Sequence, residues 1–158
     1  MLDPVDIKIL AILQEDCTIP VAEIGKRVGL STTPCWRRIQ KLEADGVIER
    51  RVALLDPQKV NVGVTVFVFI STSQHTKEWL ERFHAAVEEL PEIVEFYRMS
   101  GQVDYLLRLV VSDIAHYDDV YKKLISRIEL TDVSSSFAME QIKFTTNLPL
   151  EFAVPDKR

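Results

Sequence analysis

Cysteine is scarce in this sequence. Cys17 and Cys35 are the only two in 158 residues, and they do not form a C-x-x-C pair. That excludes a disulfide framework and a thiolate zinc site, and it marks both as free thiols of a reducing compartment. Histidine is equally sparse. His75, His84 and His116 lie far apart without metal-ligand spacing, so neither a metal nor another cofactor is expected. With only five glycines and no low-complexity stretch, the chain has the composition of an ordered globular protein. Long apolar runs are also missing. The longest, Val62 to Ile70, is too short to span a bilayer and is rich in β-branched and aromatic residues. The N-terminus, MLDPVDIKIL, is acidic where a secretory leader would be basic. A cytoplasmic protein that does not engage membranes is the expectation.

The charge is unevenly placed. The net value is −5, yet Ile24–Leu55 carries seven basic residues (Lys26, Arg27, Arg37, Arg38, Lys41, Arg50, Arg51) against three acidic ones. From Pro57 onward acid exceeds base. A basic patch beside an acidic body suits a nucleic-acid-binding module joined to a second domain.

The first third reads as three short helices. Asp3 is an N-cap with Pro4 at the first helical position, and apolar residues Ile7, Leu10, Ala11 and Leu13 follow to about Glu15. A second helix spans Val21–Val28, with Ile24 and Val28 inward, and Gly29 stops it. A third is capped by Ser31, tolerates Pro34 in its first turn, and ends at Ala44 or Asp45 before Gly46. Val47–Leu55 alternates loosely, as a strand pair or wing would. The expected domains are a helix-turn-helix at 1–55, a linker at 56–61 and an α+β domain at 62–158.

Beyond the linker the pattern gives a strand at Val62–Ser71, a helix from Thr76 to before Pro91, and strands at Ile93–Met99 and Tyr105–Val111. A helix from Asp113 to Ile128 and a strand at Val133–Thr145 complete it. The order β-α-β-β-α-β is that of a ferredoxin-like sandwich, and the overall class is α+β. The helices are expected to bury Leu80, Phe83, Val87 and Leu90, then Ile114, Tyr117, Tyr121, Leu124 and Ile128. The first strand is apolar at nearly every position, so both its faces need cover. Two helices cover one face of a four-stranded sheet. A homo-oligomer is therefore expected.

The third helix carries the first chemical signal. At about 100° per residue, Cys35, Ile39 and Leu42 share one stripe, and Thr33, Trp36, Arg37, Gln40 and Lys41 lie opposite. Two cations, an amide and a hydroxyl are what a major-groove reader needs. Ser31 and Thr32 sit at the helix N-terminus, where free N–H groups can hold a phosphate. Arg38 flanks the core stripe and suits a backbone clamp, and Arg50 and Arg51 sit on the wing. A solvated helix face with Trp36 packed on the wing is the plainer alternative. The run VAEIGKRVGLSTTPCWRRIQKLEADGVI resembles the helix-turn-helix of the Lrp/AsnC (feast/famine) regulators, of the leucine-responsive type. SGQVDYLL at Ser100–Leu107 is similar to that family's S-G-x-x-D-[YF] turn, and the tail SSSFAMEQIKFTTNLPL to its closing strand and arm. The resemblance implies a transcriptional regulator that binds double-stranded DNA, whose dimers join further, commonly as four dimers.

The turn is the second signal. Ser100 and Gly101 let the backbone turn tightly and expose N–H groups to a carboxylate, while Asp104 can accept from an ammonium group. Met99 and Tyr105 flank it as apolar contacts, and Gln102 and Val103 are its variable positions. From the residues alone, a plain hairpin capped by Asp104 is the favoured reading. The resemblance favours an effector cleft between subunits, usually for amino acids, and implies Ser134, Ser135, Ser136 and Phe137 from a neighbouring subunit's last strand. Two alternatives stand. One is a regulator without an effector of its own. The other is a tetrapyrrole-pathway decarboxylase of similar architecture, which would draw on His75, His84, His116, Arg98 and Arg108.

Overall fold

A computed structural model describes residues 2–74 and 76–153. His75, one of the histidines weighed above, lies outside the described residues, as does the end of the 62–158 domain from residue 154. The chain forms two compact units. The first runs to Ala53 and also takes the segment from Lys143, and the second is Leu54–Ile142.

The first unit holds helices α1 (Pro4–Glu15), α2 (Val21–Val28) and α3 (Thr32–Ala44). Their shared core is Ile9, Leu10, Ile24, Cys35, Ile39 and Leu42. The α3 stripe is as the spacing predicts. In α1 the fully buried residue is Ile9, whereas Ile7, Ala11 and Leu13 are only half-buried. That helix is apolar on almost every side, so spacing alone does not select its inner face.

The turn between α2 and α3 depends on two glycines. Gly29 adopts φ +76, and Leu30 N–H reaches back to Gly25 O at 2.8 Å, a helix-ending motif that needs a left-handed residue. Gly25 is equally constrained, because a Cβ there would lie 2.7 Å from the Leu30 carbonyl oxygen.

Two sequence expectations fail in this unit. Val47–Leu55 forms neither a strand pair nor a wing. The N–H groups of Val47 and Ile48 both close onto Leu42 O, at 2.9 and 3.0 Å, and Ile48 packs on the core. Residues 49–55 then form no helix or strand and pair with no other strand among the described residues. The tail is the second. From Lys143 it belongs with the helices and not with the α+β unit, because the Gln14 side chain pairs with the backbone of Leu148 through bonds of 3.0 and 3.2 Å. Leu150, opening a short 3-10 helix (Leu150–Ala153), packs on the same core.

The second unit is the β-α-β-β-α-β sandwich: β1 (Val64–Ser71), α4 (Lys77–Glu88), β2 (Ile93–Arg98), β3 (Tyr105–Val111), α5 (Ile114–Arg127) and β4 (Asp132–Phe137). The sheet is antiparallel in the order β2-β3-β1-β4. Its register fixes two faces. Val66, Val68 and Ile70 oppose Leu109, Leu107 and Tyr105, all buried. These form one core with Trp79, Phe83, Val87 and Leu90 around α4, and Val120, Leu124 and Ile128 around α5. Thr76 and Asp113 cap the two helices through their side chains.

Three details depart from the sequence reading here. Ile114 is 70% exposed, while Val120 and Trp79, not singled out above, are fully buried. Trp79 donates its indole N–H to Glu129 O at 3.1 Å, which lets so large a polar ring sit in the core. Finally, β4 stops at Phe137 instead of Thr145. The last rung is Ala138 N–H to Thr65 O at 2.9 Å, and beyond it β1 begins at Val64 and has no edge left to offer.

Candidate DNA-reading helix and ligand turn

Thr33, Trp36, Arg37, Gln40 and Lys41 all lie on the exposed side of α3, and Ser31 and Thr32 are exposed at its start. With no wing to cover it, Trp36 is half-exposed. Arg37 makes no ion pair or side-chain hydrogen bond among the described residues. Lys41 pairs loosely with Asp45 at 3.3 Å, and Gln40 donates to Glu43 at 2.9 Å. Arg50 and Arg51 are exposed on irregular chain, with Arg51 held to Glu43 at 2.8 Å.

Arg38 differs from its neighbours. Its guanidinium donates inward to Asp3 at 2.5 Å and Asp6 at 2.7 Å, tying α3 to the first turn of α1. Hydrogen bonds from the Asp6 backbone and then from Arg38 hold the Asp3 carboxyl below its ordinary range. Bonds to Asp3 and Asp6 raise Arg38 in turn. It is not placed as a free cation on the outer face.

In the second unit the loop between β2 and β3 is closed by Met99 N–H to Asp104 O at 2.8 Å, with Gly101 at φ +131. Ser100, Gly101 and Gln102 are exposed, and no described residue accepts from the N–H groups of Ser100 to Val103. Such a row of free donors can hold an anion. Asp104 is already engaged. Its N–H donates to Ile70 O at 2.9 Å, and its Oδ2 accepts the Thr72 N–H at 2.8 Å. Thr72, a buried polar residue beside the turn, escaped the sequence reading because nothing in its local spacing points across the sheet end.

The flanking residues separate. Met99 is exposed, but Tyr105 is buried against Trp79, Phe83 and Phe96, and so belongs to the core instead of the turn's apolar rim. The β4 residues divide by face. Ser135 and Phe137 turn toward α5, where Tyr117 meets both. Ser134 and Ser136 sit opposite Phe69 and Phe67 on the face the helices leave open. Within one chain they stand two strands from β3, about 10 Å away.

That open face carries Phe67 and Phe69 of β1 and Leu106 and Val110 of β3. Among them lies an ion pair, Arg108 to Glu95 at 2.6 Å, with the Tyr97 hydroxyl donating to Glu95 at 3.1 Å. The described histidines do not converge. His84 packs against Phe96 with the rings tilted, while His116 bridges Glu92 and Ser112. Among the described residues no group of three or more potential ligands could hold a metal, and no helix is long and apolar enough to cross a membrane.

A helix-turn-helix with a cationic outer face, joined to an α+β unit with a donor-lined turn, defines a DNA-binding transcriptional regulator with a ligand-binding domain. The comparisons agree. Residues 2–43 match the AsnC-type helix-turn-helix domain and residues 65–148 the Lrp/AsnC ligand binding domain. The chain is 56% identical over 149 residues to the glutamate uptake regulatory protein of Zymomonas mobilis, covering 94% of this chain and 91% of that one. It is similar to the crystal structure of an AsnC family transcriptional regulator from Agrobacterium tumefaciens, at 67% identity and TM-score 0.94 over 97% of this chain and all of that one. It is also similar to the transcriptional regulator NMB0573/L-Met complex from Neisseria meningitidis, at 37% identity and TM-score 0.92 over 98% and 100%. The chain belongs to the Lrp/AsnC family of transcriptional regulators.

Proposed function

We propose that the outer face of α3 reads the major groove, with Arg37 at its centre and Thr33, Gln40 and Lys41 beside it, while Ser31 and Thr32 meet phosphate. The observation that carries this is the divergence of the two adjacent arginines: Arg38 is committed inward to two carboxylates, and Arg37 stands outside with no partner among the described residues. Arg37→Ala should cost about 1–3 kcal/mol of specific binding if it reads a guanine, and should leave the fold intact. Unchanged affinity for both specific and random duplexes in a mobility-shift titration rejects the assignment.

The regulator works in the cytoplasm as a homo-oligomer. The open face of the sheet, with Phe67, Phe69 and Leu106, meets a second copy, and dimers join further. Two recognition helices about one helical turn of DNA apart favour a pseudo-palindromic operator. The effector is an amino acid, its carboxylate on the N–H groups of Ser100–Val103 and its ammonium near Asp104. Ser134 and Ser136 come from a neighbouring chain. Met99 and Val103 favour an apolar side chain such as that of methionine, in keeping with the methionine complex of the Neisseria relative. A mobility-shift assay on the DNA around its own gene, with and without pooled amino acids, tests sensing and binding together. A shift that no amino acid alters favours a regulator that answers to assembly alone.

A further inference from the structure

Neighbouring arginines on α3 diverge by the turn of a single residue. Arg38 lies beside Cys35 and Leu42, on the side that packs into its own unit, whereas Arg37 is about 100° further round. The Arg38 Nη1 atom donates to Asp3 Oδ2 and to Asp6 Oδ1. The other two carboxylate oxygens are also in use. Asp3 Oδ1 accepts the N–H groups of Val5 and Asp6 at 2.8 and 2.9 Å, and Asp6 Oδ2 accepts the Asp3 N–H at 3.2 Å. The capping box that starts α1 is therefore tied to α3. The cluster carries one cation and two anions, so it repels a phosphate on balance.

We propose that Arg38 is a positioning residue for DNA recognition. Through Asp3 and Asp6 it sets the angle of α3 against α1, and it makes no contact with DNA. Nη2 and Nε keep donors to spare, but a phosphate approaching them would meet a cluster whose two carboxylates outweigh its one cation. This rests on the reading of the outer face of α3 as the DNA surface, which the Arg37→Ala variant tests separately.

Asp6→Asn distinguishes positioning from contact. It removes a negative charge from the DNA-binding unit, so Coulomb attraction alone would tighten binding, while loss of the clamp would weaken it. The amide oxygen that replaces Oδ2 can still accept the Asp3 N–H, so the α1 cap survives. The experiment compares full-length parent, Asp6→Asn, Arg38→Gln, the double variant and Arg37→Ala. Each is titrated over a salt series with a duplex selected by the parent from a random pool, and with an unselected duplex. Melting temperatures give the folded fraction.

Arg38→Gln and Asp6→Asn are each expected to weaken binding to the selected duplex on the order of tenfold, and the unselected duplex much less. The double variant should be no worse than Arg38→Gln, since that substitution already removes the contact that Asp6→Asn breaks. The salt slope of Arg38→Gln should equal that of the parent. A slope lower by about one, with Asp6→Asn binding as tightly as the parent or tighter, makes Arg38 a phosphate contact and overturns the proposal. Parent-like binding by both variants overturns it as well, as does a loss that vanishes after correction for the folded fraction. Should Arg38→Gln not fold, Asp6→Asn and Arg38→Lys decide by the same measures. If Arg37→Ala alone binds like the parent, the reading of the outer face fails and the clamp is judged from the other variants.

Discussion

Asp104 holds Thr72: its Oδ2 accepts the Thr72 N–H at 2.8 Å, joining the β2–β3 turn to the loop that follows β1. One carboxylate thus has two duties in the proposed ligand site, anchoring the turn and receiving an ammonium group. Two variants separate them. Asp104→Ala removes both, so ligand affinity should fall about tenfold to a hundredfold, corresponding to the roughly 1.5–3 kcal/mol of a hydrogen bond to a charged group. The melting temperature should fall with it. Asp104→Asn keeps an acceptor for Thr72 and loses the charge. Its melting temperature should match the parent while its affinity stays low. Calorimetry with methionine, leucine, lysine and aspartate reads this, and equal affinity in parent and both variants, or tightest binding by aspartate, places the ligand elsewhere.

Gly25 controls the approach of α2 to the chain entering α3. Gly25→Ala puts a methyl group 2.7 Å from a backbone oxygen, which cannot rotate away as a side chain could. The helices must shift, at a cost of about 1–3 kcal/mol. Specific DNA binding should weaken with stability, while the ligand response, which belongs to the other unit, persists. A thermal melt unchanged from the parent would show that the turn relaxes freely.

The sequence carries helix ends well because they are local chemistry. Asp3, Ser31, Thr76 and Asp113 each begin a helix, and Gly29 and Gly46 adopt positive φ where helices stop. The outer face of α3 was legible for the same reason, since its rotation follows from the apolar stripe. What was hidden depends on partners distant in sequence. Val47–Leu55 and the segment beyond Phe137 have strand-like composition, but a strand exists only where another offers its edge. Arg38 reads as a clamp on the DNA backbone until Asp3 and Asp6, more than thirty residues earlier, are placed beside it. Tyr105 and the run Ser134–Phe137 show the same limit, because the sequence names the residues and the register decides which face each takes.

Phe69 tests the assembly. It sits half-buried on the open sheet face, opposite Leu106 on one side and Ser134 on the other. Phe69→Asp places a charge on a surface proposed to meet a second copy, where an unpaired buried carboxylate is strongly disfavoured. Light scattering at micromolar concentration should show the parent as an even-numbered oligomer and the variant as a smaller species. A variant that keeps the parent's mass moves the interface elsewhere, and a parent that is itself a monomer removes it.

The pair on that face makes a last prediction, in acid. The hydrogen bond from Arg108, with a further one from Tyr97, holds the Glu95 carboxyl below its ordinary 4.5 despite partial burial. The proton is thus bound more weakly in the folded state than in the unfolded one. A depressed carboxyl contributes stability that is fully present above the unfolded value and is lost as pH falls through the folded one. Between pH 7 and 5 this pair should contribute no pH dependence, and below about 4.5 stability should decline. Other carboxyls are lowered too, Asp3 and Asp113 among them, so the total slope does not isolate Glu95. The difference between parent and Arg108→Gln does. Without the guanidinium the Glu95 carboxyl should move back up and the acid decline should flatten in that variant. Carboxyl-resolved NMR titration beside melts at several pH values measures both, and a Glu95 that titrates alike in the two proteins rules out the pair as the cause.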